Sequence, residues 1–191
     1  MTSAEIAFEQ VLESARRGDS RAFEQLYLQL NRRLHAFVRV RGATDPEGTV
    51  NDVFLAVFTR LGSFQGGQAQ FNAWVFTIAR NKLIDEGRKR QRRVQEVSAD
   101  QDGIEHIVAD RSATGDVEQE AIDHITTEGL SQKLAFLTDD QRDAVVLRVI
   151  ADLSIEAIAE VMDKRPGSVR SLLRRAFRTI ARVGLTMAIQ L

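Results

Sequence analysis

The sequence predicts an all-α chain of two small helical domains joined by an acidic, flexible linker. Three observations lead there. Apolar residues recur at spacings of three and four through most of the chain, the period of a helix with one buried face. Only two prolines interrupt 191 residues, and runs of alternating β-branched residues are few. Charge is also segregated: residues 94–129 carry −9, with Arg111 as their one base, and the remainder carries +8, although the net charge is only −1. The plan read from this pattern is a first domain over 1–93, a linker over 94–129 and a second domain over 130–191.

In the first block, Phe8, Val11, Leu12 and Ala15 mark one helix, which Gly18 stops. Asp19 or Ser20 can cap the next, whose apolar face carries Phe23, Leu26, Tyr27, Leu30, Leu34, Phe37 and Val38. Residues 41–48, with Pro46 and two glycines, read as a turn. Val50, Val53, Phe54, Val57, Phe58 and Leu61 form a third apolar face, followed by a glycine-rich stretch at 62–67. A fourth helix is expected from about Phe71, with Trp74, Val75, Ile78, Ala79 and Leu83 inward and a basic end over residues 88–93. The linker has weak apolar periodicity and dense negative charge, with a short helix expected near 117–125.

In the second block, Thr138 and Gln141 form a capping box before the apolar run 144–147. Ser154 can cap a helix with Ile155, Ile158, Ala159 and Met162 inward. After a turn at 163–165, Pro166 suits the first position of a third helix. Val169, Leu172, Leu173, Ala176, Phe177 and Ile180 line one side of it. Arg170, Arg174, Arg178 and Arg182 recur every fourth residue on another.

Composition excludes several classes. The chain has no cysteine, so it holds no disulfide or thiolate metal site, and a reducing cytoplasm suits it. No apolar run reaches the roughly 18 residues of a membrane span, so no membrane insertion is expected. Three scattered histidines, without a zinc-binding spacing or a phosphate-binding glycine loop, give no metal, no cofactor and no catalytic residue. The expectation is a protein that is not an enzyme.

The chemistry lies in the basic helices. A short helix, a tight turn and a longer helix with an apolar inner face and an arginine outer face describe a helix-turn-helix. Such a helix fits the major groove, where arginines neutralise phosphates or donate twice to guanine, and Ser168 and Ser171 can approach base edges. A solubilising face normally mixes glutamate with arginine, whereas residues 164–191 hold seven bases and no acid. The basic run at 88–93 follows Phe64, Phe71, Trp74 and Phe76, and aromatics beside cations are how single strands are held. Trp74 fits a core position equally well.

Two segments resemble the bacterial RNA polymerase sigma factors. Residues 18–27 (GDSRAFEQLY), Asp52-Val53-Phe54 and residues 71–85 (FNAWVFTIARNKLID) are similar to their region 2. Residues 137–144 (LTDDQRDA), 153–160 (LSIEAIAE) and 167–176 (GSVRSLLRRA) are similar to their region 4. With these two regions only, the chain resembles the extracytoplasmic-function (ECF) group.

The resemblance implies roles. Asn51, Asp52, Phe54, Val57 and Phe58 dock on the β′ clamp helices of core polymerase, and the second block meets the β flap. The loop at 62–70 and the following helix open the −10 promoter element, with Phe64, Trp74, Asn81, Asp85, Arg88 and Arg90 on the single strand. Arg165, Ser168, Arg170, Ser171, Arg174, Arg175 and Arg178 read the −35 element as duplex. Strand opening belongs to the polymerase, with this subunit as guide, in the bacterial cytoplasm at the nucleoid. An anti-sigma factor is a further partner of such proteins. Asp163 stands where the family usually has glycine in the helix-turn-helix turn, a place aspartate tolerates better than most residues. The apolar tail at 184–191 is expected to pack on the domain or on a regulator.

Overall fold

In the computed structural model, residues 3–98 and 134–182 are described, with side chains over 5–92 and 134–182. Among them every regular element is helical. The linker helix expected near 117–125 and the tail at 184–191 lie outside the described residues.

The first block contains α1 (Ser3–Arg16), α2 (Ser20–Val40), α3 (Pro46–Arg60), a 3₁₀ turn (Leu61–Ser63) and α4 (Gln68–Ser98). Gly18, at φ +87°, ends the first turn region, and the Asp19 carboxylate caps α2 by accepting from the Arg21 N–H at 2.9 Å. The segment read as a turn from 41 to 48 is shorter than expected. Asp45 accepts from the Gly48 N–H at 2.9 Å and Pro46 takes the first position, so α3 starts there. The fourth helix likewise begins at Gln68, three residues before the expected Phe71, and runs on through Ser98 into the stretch read as linker. Leu26, Leu30, Leu34 and Phe37 of α2 meet Val50, Val53 and Val57 of α3 and Phe71, Val75 and Phe76 of α4, all essentially inaccessible. Edge-on packing of Phe37 on Phe76 at 5.3 Å and the tilted pair Phe8 and Phe71 at 5.6 Å tie α1, α2 and α4 together.

The second block contains a 3₁₀ turn (Leu134–Phe136), α5 (Asp139–Val149), α6 (Ile155–Met162) and α7 (Pro166–Arg182). The Thr138 capping box forms with both reciprocal bonds. Ala144, Val145, Val146 and Leu147 of α5 pack with Ile158 and Met162 of α6 and with Val169, Leu172, Leu173, Ala176 and Ile180 of α7.

The two blocks pack on each other, which the sequence pattern did not announce. Helix α6 lies against α4, and α5 approaches α2. Asp143 of α5, only 2% exposed, sits between two arginines of the first block: Arg41 Nε at 2.7 Å and Arg80 Nε at 2.9 Å. A third arginine, Arg33, donates to the Ala151 carbonyl at 3.0 Å.

Candidate nucleic-acid interface

The helix-turn-helix is built from local rules. Ser154 caps α6 by accepting from the Ala157 N–H at 3.1 Å. Asp163 ends the helix in the left-handed region at φ 51°, ψ 51°. The Lys164 N–H then turns back to the Ala159 carbonyl at 2.9 Å, satisfying an orphan acceptor. Pro166 starts α7 without losing a needed donor.

With Val169, Leu172, Leu173, Ala176 and Ile180 facing the core, the opposite face of α7 is cationic. Arg165, Ser168, Arg170, Arg174, Arg175 and Arg178 are exposed and Ser171 is half-buried, so all seven residues named from sequence share one solvent-facing surface. Within it, a shallow groove is lined by Asp140, Lys164, Arg165, Ser168, Ser171 and Arg175. Two carboxylates hold cations at its edge: Asp140 takes Lys164 at 3.0 Å, and Glu156 takes Arg170 at 3.2 Å. Arg174, Arg175 and Arg178 meet no carboxylate among the described residues, so their charge is directed to solvent.

A second surface lies on α4. Trp74, Asn81, Asp85 and Arg88 fall on one helical stripe, since steps of three, four and seven residues return to the same face. Asn81, Asp85 and Arg88 are exposed, and Arg88 approaches Asp85 at 3.7 Å. Arg90 is exposed too, but nine residues from Asn81 place it about half a turn away on the opposite side. At the head of this stripe, Phe64 stacks on Trp74 with centroids 5.0 Å apart and planes 24° from parallel. Phe64 also meets Phe71 edge-on at 5.5 Å and is buried, whereas Trp74 is half-buried. The loop keeps this geometry through Arg16, which donates to the Phe64 carbonyl. Gly66, at φ +139°, has a backbone that side-chain-bearing residues rarely adopt.

The third surface is the α2–α3 hairpin. Asn51 and Asp52 are exposed, with Asp52 paired to Lys82 of α4 at 2.9 Å. Phe54 (3% exposed) and Val57 (0%), named from sequence for partner contact, are instead core residues, because both sit on the apolar face that α3 turns toward α2 and α4. Phe58 is half-buried against Phe23 at 4.8 Å. The apolar side chains α2 and α3 do offer are Leu28 (65% exposed) and Leu55 (67%), which the sequence reading missed. Each follows by one residue the Tyr27–Phe54 contact (4.5 Å) between antiparallel helices, which puts both on the same side. Their signal was available: each is a large aliphatic residue out of phase with its helix's apolar face.

Residues 26–93 match the family described as Sigma-70 region 2, and residues 127–180 match that described as Sigma-70, region 4. The chain is 30% identical over 190 residues to the ECF RNA polymerase sigma-E factor of Escherichia coli K12, covering 93% of this chain and 94% of that one. It is 28% identical over 176 residues to the ECF RNA polymerase sigma factor BldN of Streptomyces coelicolor, covering 91% of this chain but only 64% of BldN. Among solved structures, the sigma factor RpoE in complex with the anti-sigma factor NepR from Bartonella quintana superposes with a TM-score of 0.63 at 26% identity, over 84% of this chain and 94% of RpoE. With both regions present in chain order and a relative aligned over nearly its full length, the chain belongs to the ECF group of the sigma-70 family, RNA polymerase sigma factors that direct promoter-specific transcription.

Proposed function

We propose that this chain binds core RNA polymerase through the α2–α3 hairpin, places α7 on the −35 duplex and catches the opened −10 strand along α4. The observation that carries the reading is the arginine face of α7, where Arg174, Arg175 and Arg178 meet no carboxylate among the described residues, mounted on a correctly capped helix-turn-helix. Arginines at 174, 175 and 178 fit phosphates and guanine edges, and Ser168 and Ser171 are short enough to let the helix seat deeply in a groove.

On α4, the half-exposed face of Trp74 supports an unstacked base, Asn81 and Asp85 supply hydrogen-bonding edges, and Arg88 meets the backbone. Phe64 acts from beneath, by holding the Trp74 ring, and Arg90 serves the backbone on the far side of the helix. On the hairpin, Asn51, Asp52 and the rim of Phe58 meet the β′ clamp helices, and Leu28 and Leu55 supply the apolar anchors. Phe54 and Val57 support that surface from within. The second block meets the β flap, and the acidic linker follows the path of nucleic acid through the polymerase.

The chain contributes no catalytic group; bond making stays with the polymerase. Among the described residues no helix is long and apolar enough to cross a membrane. The proposed setting is the bacterial cytoplasm, at the nucleoid, with an anti-sigma protein as a further partner. In vitro transcription with core polymerase over a promoter library tests the reading. Start sites with a shared pair of upstream elements are expected, and output identical to core polymerase alone would reject it.

A further inference from the structure

Helix α1 lies ahead of the stretch, 26–93, that matches Sigma-70 region 2, and it packs on α4 and on the 3₁₀ turn before the loop. It buries only Phe8, Leu12 and Ala15. Phe8, Leu12 and Arg16 follow one another at steps of four, so they form a single line along the helix. Both ends of that line meet the aromatic cluster at the head of α4. Phe8 packs on Phe71 at 5.6 Å, and Phe71 in turn meets Phe64 at 5.5 Å and Trp74 at 6.0 Å. Arg16 donates to the Phe64 carbonyl from one terminal nitrogen and reaches the Glu13 carboxylate from the other at 3.4 Å.

This grip falls on a residue with little freedom left. The Phe64 N–H donates to the Leu61 carbonyl at 3.1 Å, so with Arg16 both polar groups of its backbone are held. Its ring then lies under Trp74, 5.0 Å away and 24° from parallel. Phe8, Phe71 and Phe64 are buried, and Trp74, half-buried, is the ring of the four that the solvent reaches. Turning the Phe64 peptide would tilt the support beneath that ring, and a binding platform has to be held to within about 10–20°. A guanidinium suits the task, because its planar fork serves two acceptors at once, whereas an ammonium is a point charge.

We propose that Arg16 is a positioning residue for −10 strand capture. Through the Phe64 carbonyl it sets the angle of the Trp74 ring that receives the unstacked base, and Phe8 braces the same cluster from the other end of α1. The role in strand capture rests on the sigma-factor reading; the brace itself does not. Arg16 acts only through Phe64 and Trp74, so its loss should weaken capture of the single strand and leave the −35 face of α7 and the α2–α3 hairpin as they are.

Trp74 is the one tryptophan of the chain, so its fluorescence reports the platform directly. In the full chain, Arg16→Met should shift that emission to longer wavelength and raise its quenching by acrylamide. Arg17→Met, at the exposed neighbouring position, should change neither. With core polymerase present, 2-aminopurine in the −10 strand should report opening reduced about tenfold for Arg16→Met, the loss expected of one hydrogen bond from a charged donor. Arg16→Lys should recover part of it, since lysine can reach the carbonyl without also holding Glu13. Affinity for −35 duplex and co-purification with polymerase should not move. Should circular dichroism show that Arg16→Met has lost helix, Arg16→Gln replaces it, with changes in the same direction expected. Unchanged Trp74 emission overturns the brace. Shifted emission with unchanged strand opening overturns the positioning role. Equal losses in −35 affinity or polymerase association make Arg16 a merely structural residue and overturn that role too. A wild-type chain that never engages polymerase overturns the sigma reading and the positioning role with it, and the emission alone then decides the brace.

Discussion

The 62–67 loop offers a test in which one methyl group separates local geometry from overall folding. Gly66 has φ +139°, and a Cβ there would lie 2.9 Å from Cβ of Gln70 and 3.3 Å from Cζ of Phe64. Gly66→Ala therefore meets both a disfavoured backbone conformation and the first turn of α4. Holding alanine in such a region costs about 1–3 kcal/mol. The stiffer unfolded chain returns about 0.4–1 kcal/mol, which leaves a net loss of about 1–2 kcal/mol. Since about 1.4 kcal/mol is a factor of ten, the loop should hold its native geometry roughly tenfold less firmly. Gly62, in the same segment, has open space at its Cβ and no positive φ, so Gly62→Ala is the matched control. Urea denaturation should show the loss for Gly66→Ala only. A 2-aminopurine probe in the −10 strand, with core polymerase present, should report opening reduced about tenfold, while affinity for −35 duplex stays unchanged. If the two alanine variants behave alike in both measurements, the loop is not the rigid platform described.

The other expectations concern separate surfaces. Thr138→Ala removes one half of the α5 capping box and should lower stability by about 1 kcal/mol in chemical denaturation. Arg174→Ala and Arg175→Ala should each weaken −35 duplex binding by about 1–3 kcal/mol in fluorescence anisotropy, with a shallower salt dependence wherever a phosphate contact is lost. Leu55→Asp should end co-purification with core polymerase at wild-type stability, because its side chain is 67% exposed; retained co-purification would move the anchor elsewhere.

The local signals in this sequence were easily read because they obey short-range rules. Thr138, Ser154 and Asp19 cap the helices they precede, Asp163 takes the left-handed turn, and the arginine stripe of α7 lies opposite its apolar stripe. Boundaries shifted where two rules compete: Pro46 punctuates a loop but also opens a helix, and Asp45 before it decides for the helix. Phe54 and Val57 show a different limit. The motif that names a docking helix runs across both of its faces, and only packing separates the inward residues from Asn51, Asp52 and Leu55. The junction between the blocks was hidden for a third reason. Asp143 lies in a run of charged residues that looks solvated, and its partners stand 63 and 102 positions away. Only the excess of apolar residues in α6 hinted that something must cover its second side.

Helix α4 is one uninterrupted rod of 31 residues, about 46 Å long at about 1.5 Å per residue. Its first half is clamped in the core, while residues 87–92 project with every side chain exposed. The phase of that projecting arm is therefore inherited from the buried half, as the bit of a key is set by its shank. One alanine inserted after Gly87 would swing the distal arginines about 100° around the axis yet leave Trp74, Asn81 and Asp85 where they are. Whatever the rod grips along its length must match it in angle as well as in charge.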